Sequence, residues 1–483
     1  MAQQHMDRLS STDVSFLTNE SSSSHMHVGG ILVFEGPPPS YDDLLDHVRG
    51  RLHLVPRFRQ KLAHPPVQTG RPFWIDDPNF NLEYHVRHSA LPAPGSEDQL
   101  RRMAARVFSQ QLDRTKPLWE LWLVQGLTRK RFVLITKTHH ALVDGVSGVD
   151  IATVLFDLQP VPEPVEPDHD WIPSPEPSGA TLAAKGVEGL LGAPLRAVRR
   201  LEQAVQHPEA TVRQVSDAVE AVSEVGWNFA NPAPKVPLNV EIGSHRRYRW
   251  VRSDLSQFKK VKDAFGGTVN DVVLAVVAGG LRGWLRARGI RTDGLELRAQ
   301  VPVSIRSQDE RGGLGNRLAV MRGPLPVYIE DPVRRLQAVA RAMHGLKQSK
   351  QALGAEVISR FNDFAPPTLL AQAARINFST RLFNLTVTNV PGPQVPLYVL
   401  GRELEDVFPV GFLPPNQALF VAIMSYNGGV NFGLLADYDS MDDLDLIAEG
   451  IERSISELAA AADVAAEQEP EPEPAATEPQ EAG

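Results

Sequence analysis

The sequence contains no cysteine in 483 residues. Disulfide bonds, thiolate metal sites and a cysteine nucleophile are therefore excluded, and the absence fits a reducing compartment. A long apolar run is missing too, since the longest strongly apolar stretch, Val272 to Leu281, has ten residues, about half of what a membrane-spanning helix needs. The segment from Met1 to Ser15 is polar and lacks the apolar centre of a signal peptide. We therefore expect a cytoplasmic protein, soluble or peripheral to a membrane, that is not secreted and has no transmembrane segment.

Several widespread catalytic signatures are absent as well. The sequence has no Gly-x-Ser-x-Gly elbow, no His-Glu-x-x-His helix, no phosphate-cradling P-loop and no glycine fingerprint for a dinucleotide. Charge is nearly balanced outside the C-terminal tail: Asp463 to Gly483 carries seven carboxylates and no Lys or Arg, and removing it from the formal charge of −9 leaves −2. This balance gives no indication of a nucleic-acid partner.

The most informative stretch runs from Thr138 to Gly145 and contains a doubled histidine followed by Asp-Gly. Arg131 to Thr136 is rich in β-branched residues and predicts a strand, whereas the apolar spacing after the motif predicts a helix. His139, His140 and Asp144 thus lie where a buried strand changes to a helix, at the edge of a cleft. Because histidine moves protons near neutral pH, this placement indicates acid–base chemistry.

Two other interpretations of the motif stay open at this point. Both histidines could be core side chains whose ring nitrogens bond to backbone carbonyls. A metal site would use His140 and Asp144 on one helical face, but no nearby cluster of His, Asp, Glu or Cys supplies the remaining ligands. We therefore expect no metal.

The chain is longer than one hydrophobic core usually serves, which predicts two domains. Predicted strands alternate with predicted helices, and this indicates an α/β architecture. We place an N-terminal domain at 1–158, a proline-rich crossover and helical linker at 159–245, a C-terminal domain at 246–462, and a disordered acidic tail at 463–483.

The linker contains an amphipathic helical stretch, Leu182 to Val225. Its basic face includes Arg196, Arg199 and Arg200, opposite an apolar face. A basic amphipathic helix can lie on an anionic membrane, although such a face is more often simply solvated over a packed one.

A second candidate site begins a strongly apolar helix in the C-terminal domain. Thr268 and Asp271 have the spacing of a capping box, which fully accounts for Asp271. Asn270 takes no part in such a cap and lies at a helix start where it could face a cleft.

Several short motifs in order resemble one family, the bacterial wax ester synthase/diacylglycerol acyltransferases. Each motif is weak alone, but the ordered set extends from about residue 6 to 458. It consists of Leu9-Ser10 with Asp13 and Phe16-Leu17, Met26-His27-Val28-Gly29, Pro117-Leu118-Trp119-Glu120, His139-His140 with Asp144-Gly145, Pro237-Leu238-Asn239, Asn270-Asp271-Val272-Val273-Leu274-Ala275, Pro302-Val303-Ser304-Ile305-Arg306, Gly315-Asn316 and Asn389-Val390-Pro391-Gly392-Pro393.

The resemblance implies a two-domain α/β fold like that of chloramphenicol acetyltransferase and other CoA-dependent acyltransferases, with the histidine motif in a channel between domains. It implies long-chain acyl-CoA as co-substrate, no bound cofactor, and diacylglycerol or a fatty alcohol as acceptor. It also leaves a peripheral position on the inner membrane face or on lipid droplets open.

A thioester donor is already activated, so transfer to an alcohol needs a base, positioning and oxyanion donors without a covalent enzyme intermediate. We assign His140 as general base and His139 as its support. Asp144 resembles the structural aspartate of the family, with Arg306 as a candidate ion-pair partner. Asn270 is a candidate hydrogen-bond donor near the reacting carbonyl. Asn389 to Pro393 is predicted to form a rigid turn, because Pro391 fixes φ and Gly392 allows unusual backbone angles.

Three functions follow from these interpretations. The first is an acyl-CoA-dependent O-acyltransferase of lipid biosynthesis that makes triacylglycerol, with wax ester as a side or alternative product. The second is an acyltransferase of the same fold with another acceptor, such as a glycolipid or an amine. The third is a non-catalytic protein that binds lipid surfaces.

Overall fold

The computed structural model describes residues 6–66, 70–143, 154–161, 171–186, 231–304, 318–348 and 379–468. Its helices are α1 (Ser11–Asn19), α2 (Tyr41–Arg51), α3 (Leu82–His85), α4 (Glu97–Phe108), α5 (His140–Val143), α6 (Leu255–Phe265), α7 (Val269–Ala287), α8 (Pro332–Gln348) and α9 (Leu444–Gln468). Two 3-10 turns, Leu52–Leu54 and Pro56–Arg59, follow α2.

The strands have between two and nine residues. They are β1 (Asp7–Arg8), β2 (His27–Phe34), β3 (Gln60–Ala63), β4 (Phe73–Asp76), β5 (Val86–Ala90), β6 (Trp119–Leu127), β7 (Arg131–His139), β8 (Arg246–Asp254), β9 (Leu297–Ser304), β10 (Leu318–Leu325), β11 (Leu385–Pro391), β12 (Tyr398–Val399), β13 (Arg402–Val410), β14 (Leu419–Tyr426) and β15 (Gly429–Asp437).

Two six-stranded sheets form the core, and both are mixed. One has the order β12-β13-β2-β7-β6-β5, the other β10-β9-β11-β14-β15-β8, and a small third sheet has the order β1-β4-β3. In the first sheet β5 and β6 are parallel, and in the second β11 runs parallel to both β9 and β14. Central strand β7 is buried along its whole length, including its polar residues Arg131 and Lys137.

Helix boundaries follow local capping chemistry. The predicted capping box at α7 is present, because the Thr268 side chain accepts from the backbone N–H of Asp271 while the Asp271 side chain accepts from the N–H of Thr268. Ser10 and Asp13 form the same reciprocal pair at α1. These pairs satisfy backbone donors that the first turn of a helix leaves without partners.

A late segment of the chain completes the first sheet. Strand β13 pairs antiparallel with β2, from Leu404 opposite Phe34 to Val410 opposite Gly29. The predicted boundaries assign this segment to the C-terminal domain, yet it extends the sheet built from the N-terminal part. The domain boundaries themselves stay predictions.

The two large sheets touch where β13 packs on β15 and on its neighbour β8. The hydroxyl of Tyr248 donates to the carbonyl of Pro409 at 2.8 Å, and Trp250 stacks on Phe408 with ring centroids 4.4 Å apart. Gly433 lies so close that a Cβ there would be 1.8 Å from the Pro409 oxygen. The contact is therefore tight enough to require glycine at this position.

Two expectations about the C-terminal part are wrong. Disorder was expected from Asp463, but α9 continues to Gln468, Ala462 is buried and Asp463 forms an ion pair with Lys260. The alanine-rich segment has high helix propensity and continues the packed face of α9. Residues 469–483 lie outside the described residues.

Asn389 to Pro393 was expected to form a rigid turn. Instead Asn389, Val390 and Pro391 end β11, paired in parallel with β14. Pro391, which has no N–H to donate, is tolerated because it is the last residue of the strand. The next residue, Gly392, donates its backbone N–H to the Ser425 carbonyl at 2.9 Å.

Within the described ranges, no single helix is both long and apolar enough to cross a membrane. The pair Leu255–Phe265 and Val269–Ala287 passes that criterion together, with a bend of 100° between its helices. The predicted amphipathic stretch falls almost entirely outside the described residues, which contain only the helical part at 179–186.

Candidate active site

The doubled histidine lies at the junction of β7 and α5. His139 is the last residue of the strand and His140 the first of the helix, so the predicted strand-to-helix change is confirmed. The two backbone N–H groups donate to opposite neighbours: that of His139 to Leu118 at 2.9 Å and that of His140 to Met26 at 2.8 Å. Both sides of the strand end are thus held, and the side chains take different environments.

His139 is fully buried and acts as the cap of the short helix. Its Nδ1 accepts a hydrogen bond from the backbone N–H of Ala141 at 3.1 Å. In a neutral imidazole the nitrogen that accepts carries no proton, so the ring proton of neutral His139 lies on Nε2. That nitrogen lies 3.6 Å from a carboxylate oxygen of Glu20.

Glu20 is a buried carboxylate surrounded by donors. The Nε of Arg114 donates to it at 2.7 Å, and Nε2 of His27 lies 3.3 Å from its other oxygen. Burial by itself raises the pKa of Glu20, but the interactions with His139 and His27 outweigh this and hold the pKa well below its usual range. Burial lowers the pKa of His27 to about 3. The carboxylate is therefore ionised, and His27 neutral, near neutral pH.

His140 lies on the other side of the junction, between two aromatic rings. It stacks on Phe16 of α1 with centroids 3.9 Å apart and planes inclined by 23°. Phe412, which follows β13, approaches it edge-on at 5.7 Å. The imidazole is only half-buried, so it is held by apolar rings while part of it stays accessible. A group that receives a proton from a bound substrate needs this combination.

Of the remaining predicted site residues, only Asn270 lies within the described residues. Asn270 is half-buried in the first turn of α7. Asp144 and Arg306 lie outside the described residues, so their pairing stays a prediction. No group of three or more potential metal ligands occurs within the part of the chain that the structure describes.

Sequence reasoning did not identify Glu20 or Phe412 as site residues. Phe16 entered only as part of a resembling motif, although it stacks directly on His140. A weak signal was present for Glu20, because it comes four residues after Phe16, directly after the helix that carries Phe16. For Phe412 no local signal exists, since its position depends on the crossing of β13.

The two mixed sheets have the fold shared by chloramphenicol acetyltransferase-like acyltransferases and condensation domains. The first condensation domain of the calcium-dependent antibiotic synthetase has this fold, with a TM-score of 0.59 at 17% identity, covering 94% of this chain and 97% of that one. A wax ester synthase/diacylglycerol acyltransferase from Marinobacter aquaeolei is more similar, with a TM-score of 0.66 at 29% identity over 94% of this chain and 100% of that one.

Residues 9–273 match the catalytic domain of the wax ester synthases/diacylglycerol acyltransferases, and residues 314–459 match the C-terminal domain of these enzymes. The probable diacylglycerol O-acyltransferase tgs2 of Mycobacterium tuberculosis is 33% identical over 460 residues, which cover 94% of this chain and 99% of that protein. The probable diacylglycerol O-acyltransferase tgs1 of the same species is 32% identical over 465 residues, covering 94% and 96%. The chain belongs to the wax ester synthase/diacylglycerol acyltransferase family.

The expected fold class and family are thereby confirmed. The protein is an acyl-CoA-dependent acyltransferase, which sets aside the non-catalytic interpretation.

Proposed function

We propose that this enzyme transfers the acyl group of a long-chain acyl-CoA to the free hydroxyl of diacylglycerol and so makes triacylglycerol. Long-chain alcohols are the alternative acceptors, giving wax esters. The observation that carries the proposal is His140, half-buried at a strand-to-helix junction between aromatic rings from distant parts of the chain. The names of the relatives from Mycobacterium tuberculosis support diacylglycerol as acceptor.

The reaction requires one proton to change places. His140 takes the proton of the acceptor hydroxyl as its oxygen attacks the thioester carbonyl. The carbon–sulfur bond then breaks, the new ester leaves, and the imidazolium returns the proton to the thiolate, giving free CoA. Donor and acceptor balance without a metal, an oxidant or a covalent enzyme intermediate, so acyl-CoA is a substrate and no cofactor is needed.

The other assigned residues support this step. His139 fixes the start of α5, which carries His140. Asp144 keeps the shape of the motif, with Arg306 as its expected ion-pair partner. Asn270 supplies a hydrogen bond to the carbonyl oxygen as negative charge develops on it. The apolar acceptor is delivered from a membrane or lipid-droplet surface on which the enzyme lies peripherally.

The test is an assay of CoA release with purified protein and oleoyl-CoA, using dioleoylglycerol, hexadecanol, an amine or no acceptor. We expect release that depends on dioleoylglycerol, with triacylglycerol as the product by mass spectrometry. His140→Ala serves as the matched background. Release that requires the amine and not the alcohols would contradict the proposed acceptor, and equal release by the His140 variant would contradict the proposed base.

A further inference from the structure

A cluster of ionisable side chains, buried except for Arg114, lies against His139. It consists of Glu20, His27, Arg114 and His139, and the carboxylate of Glu20 lies at its centre. Its side chain is only 3% exposed. An ionised carboxylate this deeply enclosed is costly to bury, so its retention calls for a specific set of partners.

The cluster connects to His140 through the backbone. His139 presents Nε2 to Glu20 and uses Nδ1 to accept the N–H of Ala141, the residue directly after His140. The opposite tautomer would place a proton on Nδ1 facing the Ala141 N–H, so two donors would meet and the helix start would lose its cap. The side of the ring that carries the proton therefore decides whether α5 begins at His140.

One short helix contacts both histidines. Glu20 directly follows α1, and its backbone N–H donates to the carbonyl of Phe16 at 3.1 Å. Phe16 stacks on the ring of His140, while Glu20 faces the ring of His139. A displacement of Glu20 that shifted α1 would thus change the surroundings of both histidine rings.

We propose that Glu20 is a positioning residue of the acyl transfer: it holds His139 in the tautomer that caps α5 and thereby sets the position of His140. The proposal rests on His140 being the base in the proposed function. The oxygen of Glu20 that faces His139 is the essential feature; Arg114 donates to this same oxygen, and His27 lies against the other oxygen of the carboxylate. The low pKa of Glu20 agrees with this role, because an ionised carboxylate offers acceptors only.

Two variants separate the acceptor oxygen from the rest of the side chain. Glu20→Ala removes the acceptor and should lower kcat by about 10- to 100-fold, the range for a small displacement of a reacting group, with KM changed less than about threefold. Glu20→Gln keeps an acceptor oxygen without the charge and should retain kcat within about fivefold. The exposed Glu35, just after β2, gives the control Glu35→Ala, which should match wild type.

The tautomer is measured independently of activity. In histidine-labelled wild-type protein, long-range nitrogen–proton NMR spectra should show His139 protonated at Nε2 and not at Nδ1, with assignment by a His139→Gln variant. Glu20→Gln should keep this pattern. The NMR measurement of the His139 tautomer does not depend on which acyl acceptor the enzyme uses. It therefore still tests the proposal if the proposed acceptor is wrong, or if Glu20→Ala fails to fold.

Three results would overturn the proposal. The first is a wild-type His139 protonated at Nδ1. The second is a folded Glu20→Ala variant that keeps more than half of the wild-type kcat. The third is a Glu20→Gln variant that loses as much kcat as Glu20→Ala, since the charge and not the acceptor would then matter.

Discussion

At the scale of single residues, the two adjacent histidines differ in what surrounds them. His140 is half-buried and touches aromatic rings, whereas His139 is enclosed, accepts a backbone N–H on Nδ1 and has its Nε2 3.6 Å from the Glu20 carboxylate. The change from strand to helix between the two residues therefore places adjacent histidines in different environments.

Replacing each histidine should give different losses. His140→Ala should lower kcat by about 10²- to 10⁴-fold, the range typical of losing a positioned general base, with little change in melting temperature. His139→Ala should lower kcat less and also lower the melting temperature, because Glu20 then faces an empty space. Kinetic assays and thermal unfolding of both variants test this. More than about a tenth of wild-type activity in the His140 variant would contradict its assignment.

His85 should make stability depend on pH. It lies between Trp119 and Phe80, with ring centroids 4.7 and 5.3 Å away, and burial lowers its pKa to about 4 from 6.5. Below pH 6.5 the His85 side chain is protonated in the unfolded chain, whereas in the folded chain it stays neutral down to about pH 4. The free energy of unfolding should therefore fall in this window, by at most ~1.4 kcal/mol per pH unit from this group.

The contribution of His85 can be isolated with His85→Gln. In wild type, Nδ1 of His85 lies 2.8 Å from the Trp119 carbonyl oxygen, at hydrogen-bond distance. The glutamine amide can still donate to this carbonyl, but it does not titrate. Urea unfolding between pH 4 and 7 should give a flatter dependence for the variant than for wild type. Parallel curves would show that His85 does not carry the effect.

At the scale of elements, α9 combines a packed helix with an extension beyond the expected end. Ile447, Ile451, Ile455 and Leu458 are buried along one face, and Ala462 continues that face. Helix α7 packs against it through glycines, since a Cβ at Gly280 would lie 2.7 Å from the Ile451 side chain. The buried face of α9 therefore extends to Ala462, and the helix continues to Gln468 with its last turns mostly exposed.

Two truncations test where the folded chain stops. A chain ending at Gln468 should keep the melting temperature and activity of the full chain, because the removed residues have no apolar side chains to bury beyond alanine. A chain ending at Leu458 loses Ala462 and the contact of Asp463 with Lys260, and should be less stable by about 1–3 kcal/mol. Equal melting temperatures for the two would contradict the role of the last turns.

At the scale of the whole molecule, the site depends on the crossing of β13. This strand pairs with β2 in the first sheet, packs on β15 of the second, and leads directly into Phe412 at His140. Phe16, from the N-terminal part of the chain, and Phe412, which follows β13, therefore both contact His140. Disturbing the crossing should affect both stability and activity.

The close approach at Gly433 provides the test. Gly433→Ala places a methyl group on the Pro409 carbonyl and should cost about 1–3 kcal/mol, with a loss of activity that follows the displacement of β13. Gly283→Ala is the matched control, since nothing lies within 4 Å of its Cβ on the exposed face of α7. That change should leave stability unchanged or raise it, because alanine favours helix. Urea unfolding of both variants distinguishes crowding from a general effect of replacing glycine.

Local structure followed from the sequence because it depends on neighbours along the chain. The strand into His139, the helix from His140 and the capping box at Thr268 each rest on residue types within a few positions. The ordered motifs identified the family for the same reason, since each is a short contiguous pattern. These features needed no knowledge of distant contacts.

Tertiary structure alone decided which distant residues complete the site. Glu20 reaches His139, and Phe412 reaches His140, only after β2, β7 and β13 have paired in one sheet. The spacing of hydrophobic residues predicts which face of a helix or strand is buried, but not which other element covers that face. The contacts of Glu20 with His139 and of Phe412 with His140 could therefore not be predicted from it. The same limit explains the wrong turn at Asn389, where pairing with β14 keeps the chain extended through Pro391.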